Sequence, residues 1–315
     1  MTKIIRIALT AYLLALAASA AAAACPPAAK QPTPEMAQAA MRNPGDHGFL
    51  WRISKNGRTS FLYGTIHVAK FDWMFPGPQL MQALRASDTV ALELDMLDSA
   101  IQERISTGMT GLRSMTMPEP LQQRMRQQAE SLCVPYDSIA SLPPELQVAT
   151  LTMMTGRGAG LEASYAIDAV LAGIGHSTNK NVVSLESPEM QLKLLQMDSP
   201  QETVSFVQDS LDELESGRSL KMLNNIARLW ADADYNRMEH FEEWCECLNS
   251  ELERRVMKRA LEDRNPLLAE KIDALHMDGK QVVAAVGSLH MFGPLGLPGL
   301  MAKRGYQVER VKFTN

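Results

Sequence analysis

The sequence predicts an α/β fold of α+β character: a central mixed, largely parallel sheet with helices, an N-terminal β-hairpin and a large helical insertion. Three observations predict it. Short apolar runs of strand length bracket the chain, within residues 49–63, 89–93, 182–185, 281–286 and 306–311. Stretches of helical spacing fill its middle, over 97–175 and 188–275. Strands separated by long helical stretches return mostly in the same direction, so the sheet is largely parallel rather than a meander.

Each element has its own signal. Phe49 to Ile53 alternates apolar and polar, Asn56-Gly57 follows, and Thr59 to Tyr63 resumes the strand pattern. An Asn-Gly pair between two such runs predicts a tight hairpin turn with positive φ. Thr89 to Glu93 is a third strand. Leu121, Met125, Ala129 and Leu132 recur at helical spacing, and Pro143-Pro144 and Gly156 to Gly160 interrupt the helical region. Val182 to Leu185 is a short strand and Gln281 to Val286 a buried one. Leu300 to Arg304 ends a helix on Gly305, and Tyr306 to Val311 closes the sheet. First and last strands belonging to one sheet make residues 25–315 a single domain.

The N-terminus reads as a cleavable secretory signal over residues 1–24. Lys3 and Arg6 precede an apolar stretch from Ile7 to Ala20, and an alanine run supplies small-residue cleavage sites. The stretch is about 14 residues, short of the roughly 20 that span a bilayer, and no later segment is long and apolar enough to do so. The mature chain is therefore periplasmic or secreted, with no stable membrane span. Cys25 beside the cut admits a lipoprotein as the weaker alternative, because Ala22 stands where such signals usually carry Leu. Lys3 and Arg6 are the only charges of the leader, so 29 basic and 36 acidic residues follow it, a net charge near −7. An acidic chain without a basic stripe argues against nucleic acid as a partner. Cys25, Cys133, Cys245 and Cys247 form an even set, which in an oxidising compartment points to two disulfides. Cys245 and Cys247, two apart in an apparently helical stretch, are expected to pair with Cys25 and Cys133.

The polar residues fall at strand ends. The hairpin's second strand runs into Gly64-Thr-Ile-His67, the third ends at Glu93, the fourth at Glu186, and the fifth runs into Gly287-Ser-Leu-His290. Ligands of open α/β sheets bind outside the carboxyl ends of parallel strands, so these four groups should converge on one rim. Imidazoles with carboxylates form a mixed nitrogen and oxygen donor set for a divalent transition metal such as Mn, Co or Zn. Two His and a Glu leave a position for water, whose pKa the metal lowers and whose proton a second carboxylate takes. The blander account is two core or capping histidines bonded to backbone. The chain has no His-Glu-x-x-His, Gly-x-Ser-x-Gly or phosphate loop.

Phe61-Leu-Tyr-Gly-Thr-Ile-His67, Leu92-Glu-Leu-Asp95, Leu185-Glu-Ser-Pro-Glu-Met-Gln-Leu192, Asp263-Arg-Asn265 and Ala285-Val-Gly-Ser-Leu-His290, followed by Gly-Leu-Pro-Gly-Leu and Gly305-Tyr306, resemble the TraB/GumN family. That family is related to the Tiki metalloproteases and the pheromone-shutdown proteins. The motifs run in order across residues 49–311. The resemblance implies a metal-dependent peptidase with His67 and His290 as metal ligands or catalytic imidazoles, Glu93 at the early acidic position and Glu186 at the later one. Which acid binds the metal and which is the base stays open. Ser187 stands where Thr is commoner.

Asn265 before Pro266 reads either as a helix N-cap or, beside Arg264, as a catalytic residue. Arg264 has a catalytic reading, stabilising an oxyanion at the rim. Asp95 either orients a ligand histidine or bonds the strand end. Gln191 is a candidate to face the site, with Glu189 in solvent. His47, His176, His240 and His276 lack a strand-end setting and read as surface or capping residues. The leading function is an exported metal-dependent hydrolase acting on peptides or protein N-termini. The alternatives are a non-catalytic peptide-binding or regulatory protein on the same fold and, on fold analogy alone, a haem-binding protein.

Overall fold

The computed structural model describes residues 25–26, 29, 33–112 and 114–313; the expected signal segment, residues 1–24, lies outside them. A short helix α1 (Pro34–Ala40) precedes the hairpin of β1 (Phe49–Lys55) and β2 (Arg58–Thr65). Asn56 and Gly57 turn it with φ of 54° and 73°, as their sequence requires. Helix α2 (Pro78–Ala86) and strand β3 (Thr89–Leu92) follow. Helices α3 (Ser99–Thr110), α4 (Glu119–Ser131), α5 (Pro144–Met154) and α6 (Ile167–Ser177) lead to β4 (Asn181–Ser184). Pro143-Pro144 opens α5 rather than interrupting it, because proline suits the first helical position. The second helical run holds α7 (Pro188–Leu194), α8 (Pro200–Glu215), α9 (Arg218–Ala231), α10 (Tyr235–Glu239), α11 (Phe241–Trp244), α12 (Glu251–Ala260) and α13 (Asn265–Met277). Strand β5 (Val282–Gly287), helix α14 (Leu297–Lys303) and strand β6 (Gln307–Arg310) finish the chain, and Gly305 ends α14 with φ of 87°.

The six strands form one mixed sheet in the order β4-β3-β5-β2-β1-β6. The pairs β3–β4, β3–β5 and β2–β5 are parallel, while β1 pairs antiparallel with both β2 and β6. Helices cover both faces of the parallel block, so Val90 to Leu92 and Val282 to Val286 are buried without alternation. The edge strands β4 and β6 are more exposed. The register sets Thr65 beside Gly287 and Leu92 beside Ala285. The carboxyl ends of β4, β3, β5 and β2 therefore lie side by side along one rim.

The helical insertion has a core of its own. Leu121 and Met125 of α4, Val148 and Leu151 of α5 and Val207 and Leu211 of α8 bury against one another, apart from the cluster on the sheet. The i, i+4 spacing in α4 places Leu121, Met125 and Ala129 on its buried stripe.

Three readings change. The disulfides are Cys25–Cys133 and Cys245–Cys247. Helix α11 stops at Trp244 and Glu246 takes φ of 51°, so the chain folds back and brings the two cysteines' Cα atoms within 5.0 Å, where a continued helix would splay them. His276 is fully buried under the hairpin, with Nδ1 bonded to Ser60 Oγ and Nε2 to the Lys55 carbonyl. Asn265 is the first residue of α13 rather than its cap, and Arg264 precedes it.

Candidate active site at the strand ends

The two Gly-x-x-His segments lock together at the rim. A Cβ on Gly64 would lie 3.0 Å from Ser288 Oγ, so only glycine lets β2 approach the second segment without displacement. Ser288 Oγ donates to the Thr65 carbonyl at 2.6 Å, and Thr65 Oγ1 donates to Asp168 Oδ1 at 2.6 Å. The hydroxyl after each glycine thus fixes a loop rather than performing chemistry.

His67 leaves the end of β2 and donates from Nδ1 to Asp168 Oδ2 at 2.8 Å. Asp168 stands in the first turn of α6. The carboxylate pushes the imidazole pKa up to about 9 and Glu93 adds to the rise, against the nearby Arg264 charge. His290 is 2% exposed, and its Nδ1 meets Asn265 Oδ1 at 2.5 Å. The amide oxygen is an acceptor only, so Nδ1 carries the proton and Nε2 presents a bare lone pair. Asn265 is held in turn by its own amide N–H groups, bonded to the Leu295 and His290 carbonyls. Burial pushes the His290 pKa down to about 4 although Glu93 pulls it up.

Glu93, at the end of β3, has its two oxygens in different surroundings. Oε2 accepts from Arg264 Nη2 and Gln191 Nε2. Oε1 accepts the Gly287 N–H at 2.7 Å and faces His290 Nε2 at 3.9 Å. Burial alone would raise this carboxyl, but His290, His67, Arg264 and the Gly287 amide outweigh it and hold the pKa at about 2. Glu186, at the end of β4, takes Arg264 as a bidentate partner through Nε and Nη2, and Gln191 bridges it to Glu93. Arg264 is raised further above its ordinary range, because these carboxylates outweigh its desolvation.

Gly287 is the focus of the arrangement. The Cβ it lacks would lie 3.3 Å from Glu93 Oε1, 3.4 Å from His67 Nε2 and 3.7 Å from His290 Cδ2. Its φ is ordinary, so the glycine is explained by space: it leaves a notch on which the three side chains converge. His290 Nε2 and Glu93 Oε1 are both acceptors, and 3.9 Å between them calls for a proton donor or cation in the middle. That separation lies within the roughly 4.2 Å that two donors on one ion at about 2.1 Å can span. The donor set thus fits a divalent transition ion in kind. As the side chains stand, no three His, Cys, Asp or Glu among the described residues form a finished metal shell.

A cleft of about 450 Å³ shares His67 and Glu93 with the notch and is lined by His67, Glu93, Asp168, Gln191 and Arg264 at its polar end. Leu94, Leu195, Met197, Phe206 and Val256 contribute apolar wall. All four expected strand-end groups meet on this rim, although only His67 and Glu93 of them line the cleft; Glu186 lies behind Arg264 and His290 is buried. Asp95 does not orient His67 or His290; its Oδ2 pairs with His176 Nε2 at 2.7 Å, and Oδ1 accepts the Leu97 N–H. His176 is therefore partnered rather than a plain surface residue. Glu189 pairs with Arg104 in solvent. The residue missed altogether is Asp168. Its only signal is an acid in the first turn of a helix, which most helices supply for dipole reasons.

The sequence profile of the TraB/PrgY/gumN family matches residues 49–310, and the chain belongs to this family. No curated protein and no solved structure matches the chain.

Proposed function

We propose that this member of the TraB/PrgY/gumN family is an exported metal-dependent hydrolase that cleaves amide bonds of peptides or protein N-termini in the cleft above Gly287. One observation carries the reading. Each histidine spends its Nδ1 on an internal acceptor, and both turn their other edge toward the notch at Glu93 Oε1. Hydrogen-bonded anchoring of this kind fixes tautomer and ring direction where imidazoles bind metal.

His67, His290 and Glu93 Oε1 would hold a divalent ion such as Mn, Co or Zn. When bound, the ion supplies a water ionised near neutral pH and polarises the substrate carbonyl. Glu93 would either share the ion through Oε1 or take up a proton there as the base. Arg264 lines the cleft and faces the charge that develops on the carbonyl oxygen. Glu186 and Gln191 hold Arg264 and Glu93 in place. Export accords with the leader of residues 1–24 and with two disulfides, which persist in oxidising compartments. The disulfide at Cys25 uses the sulfur that a lipid anchor would need.

Peptide capture without cleavage is the second reading. It is favoured by the engagement of Glu93 and Glu186 with Arg264 and by the lack of a finished three-donor shell among the described residues. The test is a quenched-fluorescence peptide library offered to the mature protein loaded in turn with Mn, Co and Zn. Cleavage that falls at least about 100-fold in both His67→Ala and His290→Ala supports hydrolysis. Peptide binding without cleavage under every metal supports capture.

A further inference from the structure

Three carboxylates line the cleft. Glu93 is paired with Arg264 and Asp168 with His67. Among the described residues Glu145 has no cationic partner. It is 7% exposed, in the first turn of α5. Both of its hydrogen bonds, from Thr203 Oγ1 at 2.7 Å and from the Met197 N–H at 3.3 Å, fall on Oε1. Oε2 accepts none. The sealed-off polar atoms without a partner, among the described residues, are Arg58 Nε and Ser219 Oγ, so Glu145 Oε2 keeps some exposure, and the residue lines the cleft. A carboxylate among apolar walls gains from a charged partner, and both hydrogen bonds on Oε1 leave Oε2 open to one.

We infer that Glu145 recognises a primary ammonium group on the ligand of this cleft. The substrates are then amines, with an apolar body lying between the ammonium at Glu145 and the amide at the Glu93 and His67 end. Leu195, Met197, Phe206 and Val256 supply the wall for that body. The ammonium comes either from a free α-amino terminus or from a lysine side chain; both present three N–H donors to a carboxylate oxygen. The inference rests on this cleft being the substrate site, and it does not depend on hydrolysis.

The experiment is isothermal titration of the mature chain with two matched pairs. Leucinamide is compared with 4-methylpentanamide, which lacks the amino group, and N-acetyl-lysinamide with N-acetyl-norleucinamide. At least one amine should bind roughly tenfold more tightly than its neutral partner, a gap in keeping with a charge-assisted hydrogen bond. The pair that shows the gap identifies the source of the ammonium. Glu145→Gln keeps an acceptor for Thr203 and Met197 and should close the gap to less than about twofold while leaving the neutral partners unchanged. Neutral partners that bind as well as both amines, amines that do not bind, or a gap that survives in Glu145→Gln would overturn the inference. Comparison within the unaltered protein needs no variant, so a misfolded Glu145→Gln does not rescue it. A gap that Glu145 controls, with no peptide cleaved under any metal, sustains ammonium recognition and refutes hydrolysis. Equal cleavage of amine-bearing and amine-free peptides does the reverse.

Discussion

The two Gly-x-x-His segments share a pattern and end in opposite electrostatic states. His67 is anchored by a carboxylate, its side chain is 61% exposed, and its pKa is pushed up to about 9. His290 is anchored by an amide, it is 2% exposed, and its pKa is pushed down to about 4. One imidazole is cationic and the other neutral near pH 7, although both stand beside the same Glu93. The Asp168 carboxylate raises the one and burial lowers the other, so the surroundings and not the motif select the protonation state. A pair poised this way presents one ready lone pair and one that is freed only by giving up a proton.

The largest expected effect comes from removing the cation that both ends share. Arg264→Ala leaves Glu93 and Glu186 buried without their guanidinium. Urea unfolding should show a loss of about 3–5 kcal/mol, against a much smaller loss for Arg264→Lys. Equal stability of the Ala variant would mean that the carboxylates do not depend on Arg264.

Acid should weaken the same cluster. The folded pKa of Glu93 is about 2, below the ordinary carboxyl range near 4.3, so the folded protein binds fewer protons than the unfolded chain between these values. Its contribution is full above about pH 4.5 and is lost as pH falls toward 2, on the order of 3 kcal/mol in all. The unfolding midpoint of Glu93→Gln should lack this part of the acid dependence. Parallel pH curves for variant and parent would contradict it.

Two exchanges of anchor then test the comparison itself. Asp168→Asn gives His67 an amide like that of His290, and its pKa should fall from about 9 to the ordinary value near 6.5 or below, read by NMR titration. Asn265→Asp gives His290 a carboxylate, and its pKa should rise by roughly one to two pH units, less than the full effect because burial still opposes the charge. Histidines that keep their parental values in both variants would show that burial, not the anchor, decides.

The legible parts of this molecule were those with a local cause. Asn56-Gly57 dictates a turn, unbroken apolar runs dictate buried parallel strands, and glycine followed by hydroxyl and histidine marks two strand ends. Convergence of His67, Glu93, Glu186 and His290 followed from one topological rule applied to those strands. What stayed hidden depends on contacts between distant segments. Asp168 meets His67 across 101 residues and Asn265 meets His290 across 25, and neither spacing has a signature. Asn265 before Pro266 invites a local reading as a cap and a catalytic one beside Arg264, and neither foretells its bond to His290 Nδ1. The pairing of Cys245 with Cys247 turned on a single left-handed residue, Glu246, for which the sequence has no glycine to give warning.

The most direct test of the central claim is elemental metal content after reconstitution of the purified mature protein with Mn, Co and Zn. The account predicts about one ion per chain in the parent and none in a folded His67→Ala/His290→Ala variant. A parent that retains no ion under any of the three, or a double variant that keeps one, would contradict a metal centre at the Gly287 notch.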